Sequence, residues 1–151
     1  MTTQSGHGFG LVQPDSRPVA DRLYRLYEDY EYSWVHADVL HRLAIGAGFE
    51  YDGASAGRIV WTLTGLRPDG LIRAAALAHD DIYEYEGDLP AGQHCVWEDD
   101  HGWVQVQHKW SRRDADRMFA RLMREAGVSK LKRRIAYLAV RVGGWLYWRE
   151  W

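Results

Sequence analysis

Aromatic and polar residues alternate through Tyr30, Tyr32 and Trp34, the two-residue period of a half-buried strand. The stretch before it, from Val19, is ambiguous, because Leu23, Leu26, Tyr27 and Tyr30 also fit a short helix. Alternation returns from Val39 to Tyr51. There Val39, His41 and Leu43 fall on one side of a strand and Leu40, Arg42 and Ala44 on the other, until Gly46 and Gly48 interrupt the pattern. A glycine-rich loop follows, Asp52-Gly53-Ala54-Ser55-Ala56-Gly57, and then an apolar segment from Arg58 to Leu66 in which Trp61 and Leu63 are expected to pack.

The period changes after Pro68-Asp69-Gly70, which supply turn chemistry. Leu71, Ala75, Ala78 and Ile82 form one stripe of a helix over 71–83, with His79 on the flank of that stripe and Tyr83 one turn later on the same side. Glu84–Trp110 is turn-rich. Within it, Val96–Trp97 and Trp103–Val106 flank Asp99-Asp100-His101-Gly102 and predict a β-hairpin. Ser111 reads as an N-cap with Asp114 three residues on, opening a helix that buries Ala115, Met118, Phe119, Leu122 and Ala126 and ends at Gly127. A last helix, 129–141, sets an apolar stripe of Leu131, Ile135, Leu138 and Val142 against Lys130, Lys132, Arg133, Arg134 and Arg141. The first 18 residues are rich in Gly, Ser and Pro and read as a flexible arm, leaving 19–151 as a single globular domain. The expected fold class is α+β, with short N-terminal strands, a helix pair bearing a His-Asp motif, an inserted β-hairpin and a basic C-terminal helix.

Composition narrows the function classes. At 151 residues, 46% hydrophobic and 26% charged, the chain is globular rather than mainly disordered. A single cysteine, Cys95, excludes an intramolecular disulfide framework and a Cys-rich zinc site. No charged-then-apolar leader opens the chain and no apolar run approaches a membrane span, so a soluble cytoplasmic protein is expected. The net charge of −2 is unevenly spread: the segment from Ser111 onward carries +7 and the rest −9. A basic C-terminal third points to an anionic partner, or to complementarity with the acidic body.

His79-Asp80 followed by Tyr83 is the most informative string. Neighbours on a helix point about 100° apart, so this His and Asp cannot easily pair with each other but can serve two adjacent roles, a base facing a cleft and a carboxylate holding a metal. A His base needs a partner on its second ring nitrogen. Asp116 is the candidate, expected half-buried at a helix–helix contact, where an imidazole N–H and the Tyr83 hydroxyl would satisfy it. The competing reading is a polar packing network without catalysis.

The segments Gly48-Phe49-Glu50-Tyr51-Asp52-Gly53-Ala54-Ser55, Arg58 with Trp61, and Ala74-Ala75-Ala76-Leu77-Ala78-His79-Asp80 with Tyr83 resemble domain-of-unknown-function family 1353. So do Ser111–Phe119, Gly127-Val128-Ser129 and Ala136–Arg141, and the likeness covers roughly 30–148. It implies a bacteriophage or prophage protein, placed in the host cytoplasm or the virion. Two departures stand out: Ala56-Gly57 where the family usually has Ile-Pro, and a longer 84–110 hairpin that would serve as a lid or contact surface.

The helix with His-Asp-x-x-Tyr, a glycine-containing loop before it and an Asp and Phe three apart after it, is more distantly similar to the core of phospholipases A2. That resemblance implies His79 as the base, Asp116 orienting it and Tyr83 supporting Asp116. It also implies Ca²⁺ held by Asp80 with Asp52 and Gly53 of the loop, and hydrolysis of bacterial phospholipid esters. The loop does not reproduce the glycine spacing of those enzymes, and their disulfides are absent. Basic residues followed by Trp145, Tyr147, Trp148 and Trp151 suit an anionic phospholipid surface, while a buried terminal helix or an aromatic homo-oligomer contact is the plainer alternative. The rival function is a non-catalytic virion or assembly protein bound to other phage structural proteins. His94, Cys95, His101 and His108 have no standard zinc spacing, the strand-like first third argues against an all-helical His-Asp phosphohydrolase using His36 or His41, and no nucleic-acid reading module is present.

Overall fold

In the computed structural model, residues 11–53, 58–66 and 70–148 are described here. The ambiguous first stretch resolves as strands: β1 (Ser16–Ala20), β2 (Leu23–Leu26) and β3 (Tyr30–His36). In β3 the alternation of buried Tyr30, Tyr32 and Trp34 with exposed partners decides the matter, since a helix would scatter those rings over its circumference. β4 (Val39–Ile45) returns antiparallel to β3 with Tyr32 opposite Leu43 and Trp34 opposite His41. The two-residue turn between them, Ala37-Asp38, holds both residues at positive φ, 48° and 62°, the sense of turn that matches strand twist.

The described strands form two antiparallel sheets. β1, β2 and the short β5 (Glu50–Tyr51) make the first, where Arg25 of β2 pairs with Glu50. The second has the order β3-β4-β6-β7, with β6 (His94–Glu98) and β7 (Gly102–Gln105) as the expected hairpin. Rather than standing apart as a lid, this hairpin completes the sheet: β6 pairs with β4, placing His94 opposite Leu43.

Four α-helices follow among the described residues: α1 (Arg58–Thr64), α2 (Arg73–Glu84), α3 (Arg112–Glu125) and α4 (Lys130–Gly143), the last running into a 3₁₀ turn at Gly144–Leu146. Ser111 caps α3 as expected, its hydroxyl accepting the Asp114 N–H and donating to the Asp114 carboxylate. α3 packs against both α2 and α4. It is tied to the sheet by the Tyr32 hydroxyl, which donates to Glu125 at 2.8 Å and accepts from Arg121 Nε at 3.1 Å.

Three packing expectations differ from the structure. Leu71 lies outside α2 and is exposed, while α2 itself is buried on nearly every side, from Ala74 through Tyr83 with the exceptions of Asp80. Leu63 faces outward, while Val60 and Thr64 of α1 are buried. On α4 the expected stripe is turned away from the body: Leu131, Leu138 and Val142 are exposed, and Ala136 and Val140 are buried. Small side chains let α4 approach closely, whereas the leucine stripe would hold it off. Of the expected arm, 1–18, the residues from 11 onward are described and pack on the body, with Ser16–Ala20 as β1. Residues 1–10 lie outside the described set, but Gln13 bonds the Leu71 carbonyl and the Ala74 N–H, and Tyr30 donates to the Val12 carbonyl.

Gly87 links the end of α2 to the start of α3. Its N–H donates to the Ile82 carbonyl at 2.9 Å and its carbonyl accepts from Trp110 N–H at 2.9 Å, with φ at +82°. A Cβ there would lie 2.1 Å from the Trp110 carbonyl oxygen. Gly87→Ala is therefore expected to destabilise the protein by about 2 kcal/mol or more, through the left-handed φ and the backbone clash together. Thermal denaturation by circular dichroism reads this as a clear fall in Tm, and an unchanged Tm contradicts it.

Candidate active site

α2 places His79, Asp80, Asp81 and Tyr83 on adjoining sides of one buried helix, and α3 brings Asp116 and Phe119 against it. His79 and Tyr83, four residues apart, share a face, their ring centroids 4.2 Å apart, and the Phe119 ring closes on His79 at 5.0 Å. Asp116 Oδ1 lies 2.8 Å from His79 Nε2 and accepts the Tyr83 hydroxyl at 2.8 Å. The expected trio is thus brought together, more deeply than anticipated: His79 and Asp116 both have 0% exposure, where half-burial was expected of Asp116.

A third donor completes the carboxylate. Arg141 of α4 bonds Asp116 Oδ2 through Nη1 at 2.7 Å. Burial alone would raise the Asp116 pKa, but the hydrogen bonds from His79, Arg141 and Tyr83 outweigh it and hold the group below its ordinary value. Asp116 is therefore ionised. An ionised acceptor requires the His79 proton on Nε2, which leaves the basic lone pair on Nδ1. Burial, then the Asp116 charge, pushes the Tyr83 pKa upward, so its hydroxyl stays a donor.

The helical pattern of the sequence puts Arg141 on the solvated basic face, whereas the structure turns it to Asp116. The signal that could have moved it is the row Ala136, Val140, Gly144, which marks the contact side of α4 one residue away. A Cβ on Gly144 would stand 2.4 Å from the Tyr83 hydroxyl, so only glycine lets the chain pass there. Trp148 covers the same tyrosine edge-on at 4.9 Å and is buried, unlike Trp145 and Tyr147, which are exposed; Trp151 lies outside the described residues.

Asp80 faces the loop. Its Oδ2 accepts the N–H of Asp52 at 3.1 Å and of Gly53 at 2.7 Å. Residues 54–57 of the glycine-rich loop lie outside the described set. Of the group near the hairpin, His94 and His108 stay close, with ring centroids 6.2 Å apart, but His101 sits at the exposed tip, and Cys95 alternates to the opposite face of β6 from His94, its thiol 3.4 Å from the Gly92 carbonyl.

Asp81 was not singled out from the sequence, and its partner, Gln93, lies in a loop that no periodicity predicts. It is 1% exposed and accepts from the Gln93 side-chain amide. Burial, with Asp80 and Glu84 nearby, pushes its pKa from 3.8 up to about 8. The folded state therefore binds this proton where the unfolded chain has released it. The stabilisation is fully present below the unfolded pKa of 3.8, declines above it, and is lost as pH rises through about 8. Asp81→Asn is expected to match the parent Tm at pH near 4 and exceed it near pH 8; a Tm difference independent of pH would contradict this (melting curves across that range).

No curated protein and no solved structure matches the chain. The description "Protein of unknown function (DUF1353)" matches residues 24–140, a span that includes both sheets from β2 onward and every residue of the His79–Asp116–Tyr83 cluster. The chain belongs to the DUF1353 family.

Proposed function

We propose that this protein is an acyl-ester hydrolase acting on phospholipid, with His79 as its base. The observation that carries the reading is the shared carboxylate: Asp116 Oδ1 lies 2.8 Å from both His79 Nε2 and the Tyr83 hydroxyl. In the reaction His79, which is 0% exposed and must be uncovered for substrate and water to reach it, takes a proton from the attacking water and returns it to the leaving alkoxide, while Asp116 fixes the tautomer and stabilises the intervening imidazolium. Arg141 and Tyr83 are positioning residues, because they act by keeping Asp116 charged and oriented.

Ca²⁺ is the ion implied by the resemblance to phospholipases A2, with Asp80, Asp52 and Gly53 as its ligands. The described residues do not fit that set as they stand. The loop turns two N–H donors toward Asp80, where a hard cation needs oxygen atoms, and no group of three or more metal-binding side chains occurs among the described residues. Ca²⁺ dependence is accordingly an arm of the test.

An outer surface of α4 and the turn after it supports a lipid partner. Leu131, Leu138, Val142, Trp145 and Leu146 are 62–73% exposed, and Lys130, Lys132 and Arg134 stand exposed on the same helix. Apolar side chains flanked by cations match the chemistry of an anionic bilayer surface. Among the described residues no helix is long and apolar enough to cross a membrane, so this is docking rather than spanning.

A second reading has its own observation. The 0% exposure of His79 and Asp116 suits a sealed polar strut, and with it a bacteriophage or prophage assembly protein that uses the α4 surface against another phage structural protein or a second copy of itself.

Fatty-acid release from phosphatidylglycerol vesicles, with Ca²⁺ and with a chelator, distinguishes the two. The hydrolase reading expects release by the parent and a loss of about 10²-fold or more in His79→Asn at retained secondary structure. Absence of release in both media sinks it. Loss with the chelator alone would show that the reaction requires a divalent ion. Leu138→Glu with Val142→Glu is expected to abolish vesicle co-sedimentation, and undiminished sedimentation would remove α4 from the lipid surface.

A further inference from the structure

On the sheet side of α3 a cleft of about 650 Å³ opens, lined by none of the His79 cluster. Strands supply Trp34, His36, His41 and His94, the segment after β7 supplies His108 and Trp110, and the helices supply four arginines. We propose that this cleft binds a phosphate ester, its phosphate held by Arg124, Arg133 and the His41 imidazole.

The charge balance is the first argument. Arg117, Arg121 and Arg124 follow one another at helical spacing on α3, and Arg133 enters from α4. Two carboxylates answer them. Glu125 takes Arg121 at 3.2 Å, and Asp114, already bonded to Ser111, stands 3.7 Å from Arg117. Arg124 and Arg133 have no carboxylate partner among the described residues, and the Arg133 Nε is buried without a hydrogen-bond acceptor there. A buried guanidinium N–H lacking an acceptor is a defect that an incoming oxyanion repairs.

The second argument is the direction of the imidazole protons. Trp110 Nε1–H lies 3.0 Å from His94 Nδ1, so that nitrogen is an acceptor and the His94 proton sits on Nε2. His94 Nε2 is 3.1 Å from His41 Nδ1 and donates to it, which places the His41 proton on Nε2. The relay therefore leaves a donor on His41 and removes the His94 Nε2 lone pair that a metal would need. Burial first, then His41 and His108, hold the His94 pKa down to about 4. Burial, His36, His108 and Arg121 lower that of His41, so both rings are neutral donors at neutral pH.

The third argument is shape. A tetrahedral anion presents acceptors in several directions and suits donors that line one cleft from two helices and a strand, whereas a carboxylate is satisfied by one guanidinium. The cleft exceeds a bare phosphate in volume, and Trp34, Trp110 and Met118 give it apolar wall for the rest of an ester. It shares Ala120 and Arg133 with a second groove of about 520 Å³ that continues to Tyr137 and Leu138. Both a lipid headgroup and a soluble phosphate ester carry the required chemistry.

Inorganic phosphate titrated into the full chain, followed by imidazole ¹⁵N–¹H correlation spectra, is expected to move the His41 and His94 signals. Arg124→Ala with Arg133→Ala, both positions outside the core, should weaken that binding about tenfold or more while Tm is retained. Co-sedimentation with phosphatidylglycerol against phosphatidylcholine vesicles separates the two sources. Loss of phosphatidylglycerol binding in the double variant assigns a lipid headgroup, and unchanged vesicle binding alongside weakened phosphate binding assigns a soluble ester. Unmoved histidine signals at tens of millimolar phosphate, or equal phosphate affinity in parent and double variant, would overturn the proposal. Because the cleft and the His79 cluster share no residue, failure of ester hydrolysis leaves this result intact.

Discussion

A carboxylate with no access to water has to be answered by donors from the protein, and Asp116 collects them from two other helices. His79 and Tyr83 arrive from α2 and Arg141 from α4, on both oxygens of one side chain. The three-helix arrangement follows from this requirement as much as from apolar contact. If α4 slid by one residue, Arg141 would leave Asp116 as an uncompensated buried charge, a loss of roughly 3–5 kcal/mol in comparable sites. The close approach that forbids such a slip depends on small residues, Ala136, Val140 and Gly144, all of which are buried. Packing and charge thus fix the same helix register independently.

α3 is the shared wall of two chemically different regions. Asp116 and Phe119 look toward α2 into a dry, hydrogen-bonded cluster, while Arg117, Arg121 and Arg124 line an open cleft beside the sheet. Those positions differ by only one or two residues along the helix, which a 100° step per residue converts into different surroundings. The dry side keeps Asp116 charged through direct partners. The cleft side keeps His41 and His94 neutral through burial first, and then because a proton on either ring would face neighbouring imidazoles and, at His41, Arg121.

Local chemistry was legible in the chain and distant pairing was not. The Ser111 cap, the hairpin after His94 and the four-residue spacing of His79 and Tyr83 are each set within a few residues, and each stands as read. Asp116 was also recoverable, because a polar residue in the otherwise apolar series Ala115, Met118, Phe119, Leu122 needs a partner. The inward face of α4 was misread for a physical reason: side-chain hydrophobicity ranks leucine above alanine, yet tight helix contact selects the smaller residue. The cleft histidines come together only through the β3–β4–β6 register, which places His41 and His94 on neighbouring strands from 53 residues apart. Asp81 and Gln93 meet across a loop with no period at all.

The turn at Ala37-Asp38 has a bearing on how the protein reaches this structure. Both residues occupy the left-handed region without a glycine, at φ of 48° and 62°, a conformation that costs an alanine roughly 1–2 kcal/mol. A hairpin with such a turn has little tendency to close by itself in an unfolded chain. β3 and β4 therefore depend on cover for their aromatic face, and that cover is α3, bonded to Tyr32 through Arg121 and Glu125. Glycine in place of Ala37 would relieve that cost without touching the covered face, so the closure of the hairpin and the packing of its aromatic side are separable contributions.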